Sequence, residues 1–189
     1  MSGALTCNTL TRLQVLPFSF KSDYERVVDY FLNADEAFLR GMGVDPSKLP
    51  DREAWLNRLL PDLTRPDSQK QTFYVGWHYE GTRIGHCNLS PLRYGDQAYV
   101  HLHLWESSAR RAGLGTELFR RSAQMFLQRF ALQRLYCEPY ADNPAPNRVL
   151  TKAGFRFVKR YRTTPGLINF EQEINQYVID RQLADVRVL

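Results

Sequence analysis

Residues 102–118, LHLWESSARRAGLGTEL, constrain the fold more than any other part of the chain. An alternating strand runs through a glycine-interrupted loop into an amphipathic helix. The first amides of such a helix have no carbonyl partner, and its dipole favours an anion at that end. Gly113 and Gly115 lack Cβ, so successive amides can turn inward and a phosphate can come close. Arg110 and Arg111 add forked donors for phosphate oxygens. With Ala112, Leu114 and Thr116 these residues predict an anion cradle. Glycines ahead of a helix can also make only a turn, so the surroundings have to decide.

The surroundings read as alternating strands and helices. Residues 11–16 predict a first strand. Ser22 is placed to cap a helix over 23–32, and Asn33 or Asp35 to start a continuation to Arg40. A further helix over 51–60 carries Trp55, Leu56, Leu59 and Leu60, so 17–71 forms a helical segment. Residues 72–79 and 83–89, joined by Glu80 and Gly81, predict a hairpin. A second turn over 91–97 leads into a third strand, 98–105. The helix over 114–130 buries Leu118, Met125, Phe126 and Phe130 and points Arg120, Arg121 and Arg129 at water. A strand over 133–138 follows that crossover helix and is expected parallel to the strand before it. A helix over 144–153 ends at Gly154, and strands over 155–161 and 169–180 close the pattern. The expected class is α/β (α+β), a mixed sheet of six to seven strands flanked by helices. It forms a single domain over 1–189, with the core at 72–180.

Charge is uneven. Residues 1–95 balance eleven basic side chains with eleven acids, whereas 110–162 hold twelve basic residues against Glu117, Glu138 and Asp142. The excess surrounds the predicted cradle, where it suits a phosphorylated ligand; nucleic acid is not the expected partner, although such charge would tolerate it. No run approaches the roughly 18 apolar residues of a membrane span, and the start lacks a signal-peptide pattern, so no membrane association and a cytoplasmic location are expected. Cys7, Cys87 and Cys137 are far apart and form no Cys-x-x-Cys, which predicts free thiols and no metal site.

The order strand, Arg-x-x-Gly-x-Gly, helix, strand, then Asn143-Pro-Ala-Pro-Asn147-Arg-Val-Leu-Thr-Lys-Ala-Gly-Phe155 resembles the GNAT superfamily of acyl-coenzyme A N-acyltransferases. It is most like the branch containing the ribosomal-protein N-terminal acetyltransferases. The resemblance implies a centrally splayed sheet and acetyl-CoA as co-substrate. It also implies main-chain contacts to the coenzyme at His103, Leu104 and Trp105, a pyrophosphate at residues 110–116, and further contacts from Asn143 and Asn147. Asn143 is equally placed to cap the helix opened by Pro144. The acceptor is an amine on a small molecule or a peptide, and a homodimer is left open.

Acetyl transfer to an amine needs a base, because free amines hold their proton at neutral pH. His101 and His103 share one face of their strand, and Glu138 lies five residues before Asn143, the spacing of a catalytic glutamate in some relatives. The acid departs from the family pattern. Many members carry a tyrosine where this chain has Leu150, and the nearest branch often has a serine where it has Pro146, so Tyr140, Tyr99, a water or helix amides would have to serve. Two rival functions stand beside the transferase: a coenzyme-binding module without catalysis, and a basic nucleic-acid-binding domain. Asp35, Glu36, Asp45 and Asp51 are candidates to attract a cationic acceptor, or ordinary surface acids.

Overall fold

A computed structural model describes residues 12–105 and 113–182. Among them seven strands form one sheet in the order β1-β2-β3-β4-β5-β7-β6. The strands are β1 (Leu13–Pro17), β2 (Phe73–Tyr79), β3 (Thr82–Leu92), β4 (Gln97–Leu104), β5 (Arg134–Cys137), β6 (Arg156–Thr163) and β7 (Gln172–Asp180). Only the β4–β5 pair is parallel, as the intervening crossover helix requires; the other pairs are antiparallel. β3 runs further than expected, to Leu92, and takes in Pro91 at a register shift between Leu89 and Leu92, where a residue without an N–H costs the ladder least.

The helices sort to the two faces. α1 (Lys21–Leu32), α2 (Glu36–Gly41), α3 (Arg52–Leu59) and α4 (Pro61–Thr64) precede β2, whereas α5 (Leu114–Arg129) and α6 (Pro144–Lys152) follow β4 and β5. Ser22 does not cap α1. The helix begins earlier, and the Asp23 carboxylate reaches back to accept from the Ser19 and Phe20 amides at 2.9 and 3.0 Å. Asp35 and Asp51 cap α2 and α3, accepting from the Phe38 and Ala54 amides at 2.8 Å each.

Two apolar clusters sandwich the sheet. One joins Val75, Trp77, Cys87, Leu89 and Val100 to Leu118, Phe119 and Phe126 of α5 and Leu150 of α6; the other joins Tyr24, Val28, Phe31 and Leu56 to Tyr74. The Trp77 indole N–H, fully buried, donates to Ser122 Oγ at 2.8 Å, tying sheet to α5. Two arginines of α5 expected to face water also serve as ties. Arg121 donates to the Leu13 carbonyl at 2.7 Å, and the Arg129 guanidinium lies 4.5 Å over the Phe73 ring while binding Asp67. Among the described residues no helix is long and apolar enough to cross a membrane.

Candidate active site

Among the described residues the sheet has one parallel pair, and it opens there. The β4–β5 ladder holds at Gln97–Arg134, Ala98–Leu135 and Tyr99–Tyr136 and then stops, while β4 stays paired with β3 as far as Leu104. Beyond β5 the chain keeps to β7 instead: Asn175 N–H donates to the Pro139 carbonyl at 3.1 Å and Ala141 N–H to Glu173 at 2.9 Å. Each strand of the pair thus follows its outer neighbour, and a crevice forms between them.

The alternation of β4 decides which main-chain groups meet that crevice. Trp105 N–H donates to the Ile84 carbonyl at 2.9 Å, and the His103 carbonyl lies 2.4 Å from where a Cβ on Gly85 would be, so both backbones turn toward β3. By the two-residue period the main chains of Leu102 and Leu104 point the other way, into the opening. The main chains of His103 and Trp105, where coenzyme contacts are expected, thus run along β3. Which main chains of β4 face the opening is not a local property, because it depends on the register of β4 against β3.

The first turn of α5 closes one end of the crevice. Gly113 is its N-cap in the left-handed region, φ 75°, and among the described residues nothing lies within 4 Å of a hypothetical Cβ. A Cβ on Gly115 would meet only Leu104 Cδ2 at 3.7 Å, so β4 and the opening of α5 touch. Leu114 is buried and Thr116 N–H folds back to the Gly113 carbonyl at 3.2 Å. This open, glycine-flanked helix start fits a phosphate group. Arg110, Arg111 and Ala112 lie outside the described residues.

Side chains of Tyr99, His101 and His103 share the β4 face that looks toward α1, opposite the α5 side. Tyr99 stacks on Tyr136 across the last rung, centroids 5.5 Å apart. His101 Nε2 lies 2.8 Å from the Ser90 carbonyl, an acceptor only, so Nε2 carries the proton and Nδ1 the lone pair. Its ring is open to solvent yet surrounded by protein, as a residue in a crevice is. That crowding lowers its pKa, against the Ser90 carbonyl and the Glu138 charge, which raise it. Glu138, on the facing wall, accepts at Oε1 from Tyr161 OH at 2.7 Å and from Gln176 Nε2 at 2.6 Å. The structure thus brings His101 and Glu138 to one crevice.

His103 is part of an aromatic cluster instead. It stacks on His86 at 4.7 Å and packs against Phe31 and Tyr30 of α1 at 5.1 and 5.6 Å. Trp105 Nε1 donates to His86 Nδ1 at 3.0 Å. Burial, then the neighbouring His101, push His103 down to about 3, and burial lowers His86 well below its ordinary value. Because these histidines stay neutral when folded and take a proton near pH 6.5 when unfolded, stability is expected to fall as pH drops below about 6.5. Thermal unfolding at pH 7.5 and pH 5 checks this: Tm should be lower at pH 5, with a smaller difference in His103→Gln.

The family model described as Acetyltransferase (GNAT) domain matches residues 12–156. The chain belongs to the GNAT acetyltransferase family. No match was found among curated protein sequences. Among solved structures, the GNAT fold here is similar to the ribosomal L7/L12 alpha-N-protein acetyltransferase RimL in complex with coenzyme A. The TM-score is 0.71 at 14% identity, over 90% of this chain and 94% of that one. It is similar to spermidine N-acetyltransferase from Vibrio cholerae in complex with CoA and spermine, with TM-score 0.73 at 12% identity over 92% and 98% of the two chains. It is also similar to the microcin C7 self-immunity acetyltransferase MccE in complex with acetyl-CoA and AMP, with TM-score 0.68 at 13% identity over 88% and 92%. Likeness at such identity is one of fold.

Within this GNAT domain several expected site residues make contacts within the scaffold. Asn143 caps α6, accepting from the Ala145 amide at 3.3 Å. Asn147 donates to the carbonyls of Tyr140 and Asn143 at 3.1 and 2.7 Å and accepts from Asn175 at 2.8 Å, bracing the turn after β5 to β7. Its polar atoms are thus already engaged. Tyr140, expected as an acid, pairs through its main chain with Ile174 and sets its ring 5.9 Å from Phe170; the hydroxyl bound to Glu138 is that of Tyr161. Leu150 is fully buried. Asp35, Asp45 and Asp51 cap helical turns and Glu36 pairs with Arg40, so these four acids have structural partners. Among the described residues no group of three or more His, Cys, Asp or Glu could hold a metal ion.

Proposed function

We propose that the protein is an acetyl-CoA-dependent N-acetyltransferase that passes the acetyl group directly to an amine on a small molecule or peptide. The observation that carries this reading is the end of the β4–β5 ladder at Tyr99–Tyr136, beside a glycine-flanked helix start. Acetyl-CoA would supply an acyl group activated as its thioester. The amides opening α5, with Arg110, Arg111 and Ala112, would hold the pyrophosphate, and the Leu102 and Leu104 main chains would line the pantetheine path. His101 Nδ1 and the Glu138 carboxylate stand on the two walls as bases for the ammonium proton. With Leu150 in the core and Pro146 on α6, the thiolate would take its proton from water or lie against helix amides.

The test is coenzyme release from acetyl-CoA over a panel of amines covering peptide N-termini, lysine, polyamines, aminoglycosides and amino acids, beside calorimetric binding of coenzyme A. Binding with turnover of at least one amine is expected. Coenzyme bound without turnover of any amine would favour a binding module, the reading that Leu150 motivates.

A further inference from the structure

We infer that Tyr161 and Gln176 are positioning residues: they hold the Glu138 carboxylate, proposed above as a base, so that Oε2 is the oxygen left to take the acceptor's proton. The inference rests on the transferase reading above and on its Glu138 base.

A carboxylate oxygen has two lone pairs in its plane, and Oε1 of Glu138 already accepts two hydrogen bonds, from Tyr161 OH at 2.7 Å and Gln176 Nε2 at 2.6 Å. Two donors on one oxygen fix the plane of the group and leave basicity at Oε2. The donors come from two strands that a short motif cannot report. Continuing the β5–β7 register, in which Tyr136 faces Val178 and Cys137 faces Tyr177, places Gln176 opposite Glu138. Lys159 pairs with Gln176 and Tyr161 with Ile174, so Tyr161 sits one diagonal step further out on the edge strand β6 and reaches inward across β7. Both residues lie beyond the stretch matched by the family model, which ends at 156.

The titratable groups facing Glu138 are Tyr99 and His101 from β4 and Tyr161 from β6, whose ring has the Lys159 ammonium 4.5 Å over it; β7 contributes the neutral Gln176. The proton balance is simple. The acceptor ammonium gives one proton to Oε2, which passes it to solvent once the product departs; as the C–N bond forms and the C–S bond breaks, the nitrogen loses its second proton, which reaches the departing thiolate by way of water, leaving the amide and the coenzyme A thiol. Donors to a carboxylate stabilise its charged form, so removing one raises the pKa and moves the acid limb of the rate upward.

The experiment uses the full chain with whichever amine the panel identifies. In Tyr161→Phe and in Gln176→Met, the acid limb of kcat/KM against pH is expected to rise by about one unit. The rate below the limb would then fall about tenfold, with coenzyme affinity within about twofold. A ¹³C NMR titration of labelled glutamate, with Glu138→Gln to assign the Glu138 resonance, reads the same displacement without turnover. A titration unmoved by either substitution overturns the inference whatever the activity. A protein that binds coenzyme, shows the displaced titration and turns over no amine overturns the transferase reading and the base role together, leaving only the clamp.

Discussion

Glu138→Gln is expected to lower kcat/KM for the acceptor by about 10²–10⁴-fold, the usual range for losing a positioned general base, with coenzyme affinity within about twofold. The substitution is nearly isosteric, and an amide oxygen can still accept from Tyr161, so the wall of the crevice should stand while its basic oxygen is lost. His101 supplies the contrast. Its Nε2–H is held by the Ser90 carbonyl at 2.8 Å, and its remaining lone pair at Nδ1 is weakly basic because protein crowds the ring. If both residues lie on one proton path, the double variant with His101→Gln should be no slower than Glu138→Gln alone. Steady-state rates across pH for the two single variants and the double settle the matter; a Glu138→Gln enzyme with a full rate at every pH would remove the carboxylate from the mechanism.

The parts of this site that were legible in the sequence are those set by neighbours in the chain. Gly113 takes a left-handed φ at the head of α5, and Asp35 and Asp51 cap α2 and α3, because each of these depends on a few successive residues. The parallel run of β5 beside β4 was equally legible, since a crossover helix allows little else. What escaped depends on register. The alternation that swings His103 toward β3 and Leu102 toward the opening is fixed by Gly85 and Ile84, some twenty residues away, and a one-residue slip would reverse it. Tyr161 and Gln176 reach Glu138 only through the pairing of β6 with β7 and of β7 with β5. Asn147 shows the converse. Its place in a motif suggests a ligand contact, yet Tyr140, Asn143 and Asn175 engage its amide. Polar residues in a motif can be kept by the scaffold as readily as by the ligand.

Phe119→Ala should be the most damaging single change away from the reacting groups. Phe119 is fully buried in α5, and its ring meets Phe155 at 5.2 Å, where the chain turns out of α6 toward β6. Removing a buried phenyl ring costs about 3–5 kcal/mol through lost transfer energy and the cavity left behind. At roughly 2–4 °C per kcal/mol for a chain of this size, Tm should fall by about 6–20 °C. The functional consequence follows from position. One turn before Phe119, a Cβ on Gly115 would make an ordinary contact with Leu104 at 3.7 Å, so the amides proposed to hold the pyrophosphate lie beside β4 on the same packed helix. A loosened α5 should therefore weaken coenzyme A binding below the melting transition. The acid limb set by Glu138 should keep its place, because Tyr161 and Gln176 hold that carboxylate from the far side of the sheet. Calorimetric titration of coenzyme A at 15 °C with a thermal scan of the same sample separates the two effects. An unchanged Tm would deny Phe119 its packing role, and an unchanged coenzyme affinity beside a lowered Tm would show that the helix start is anchored by its own first turn rather than by the core beneath it.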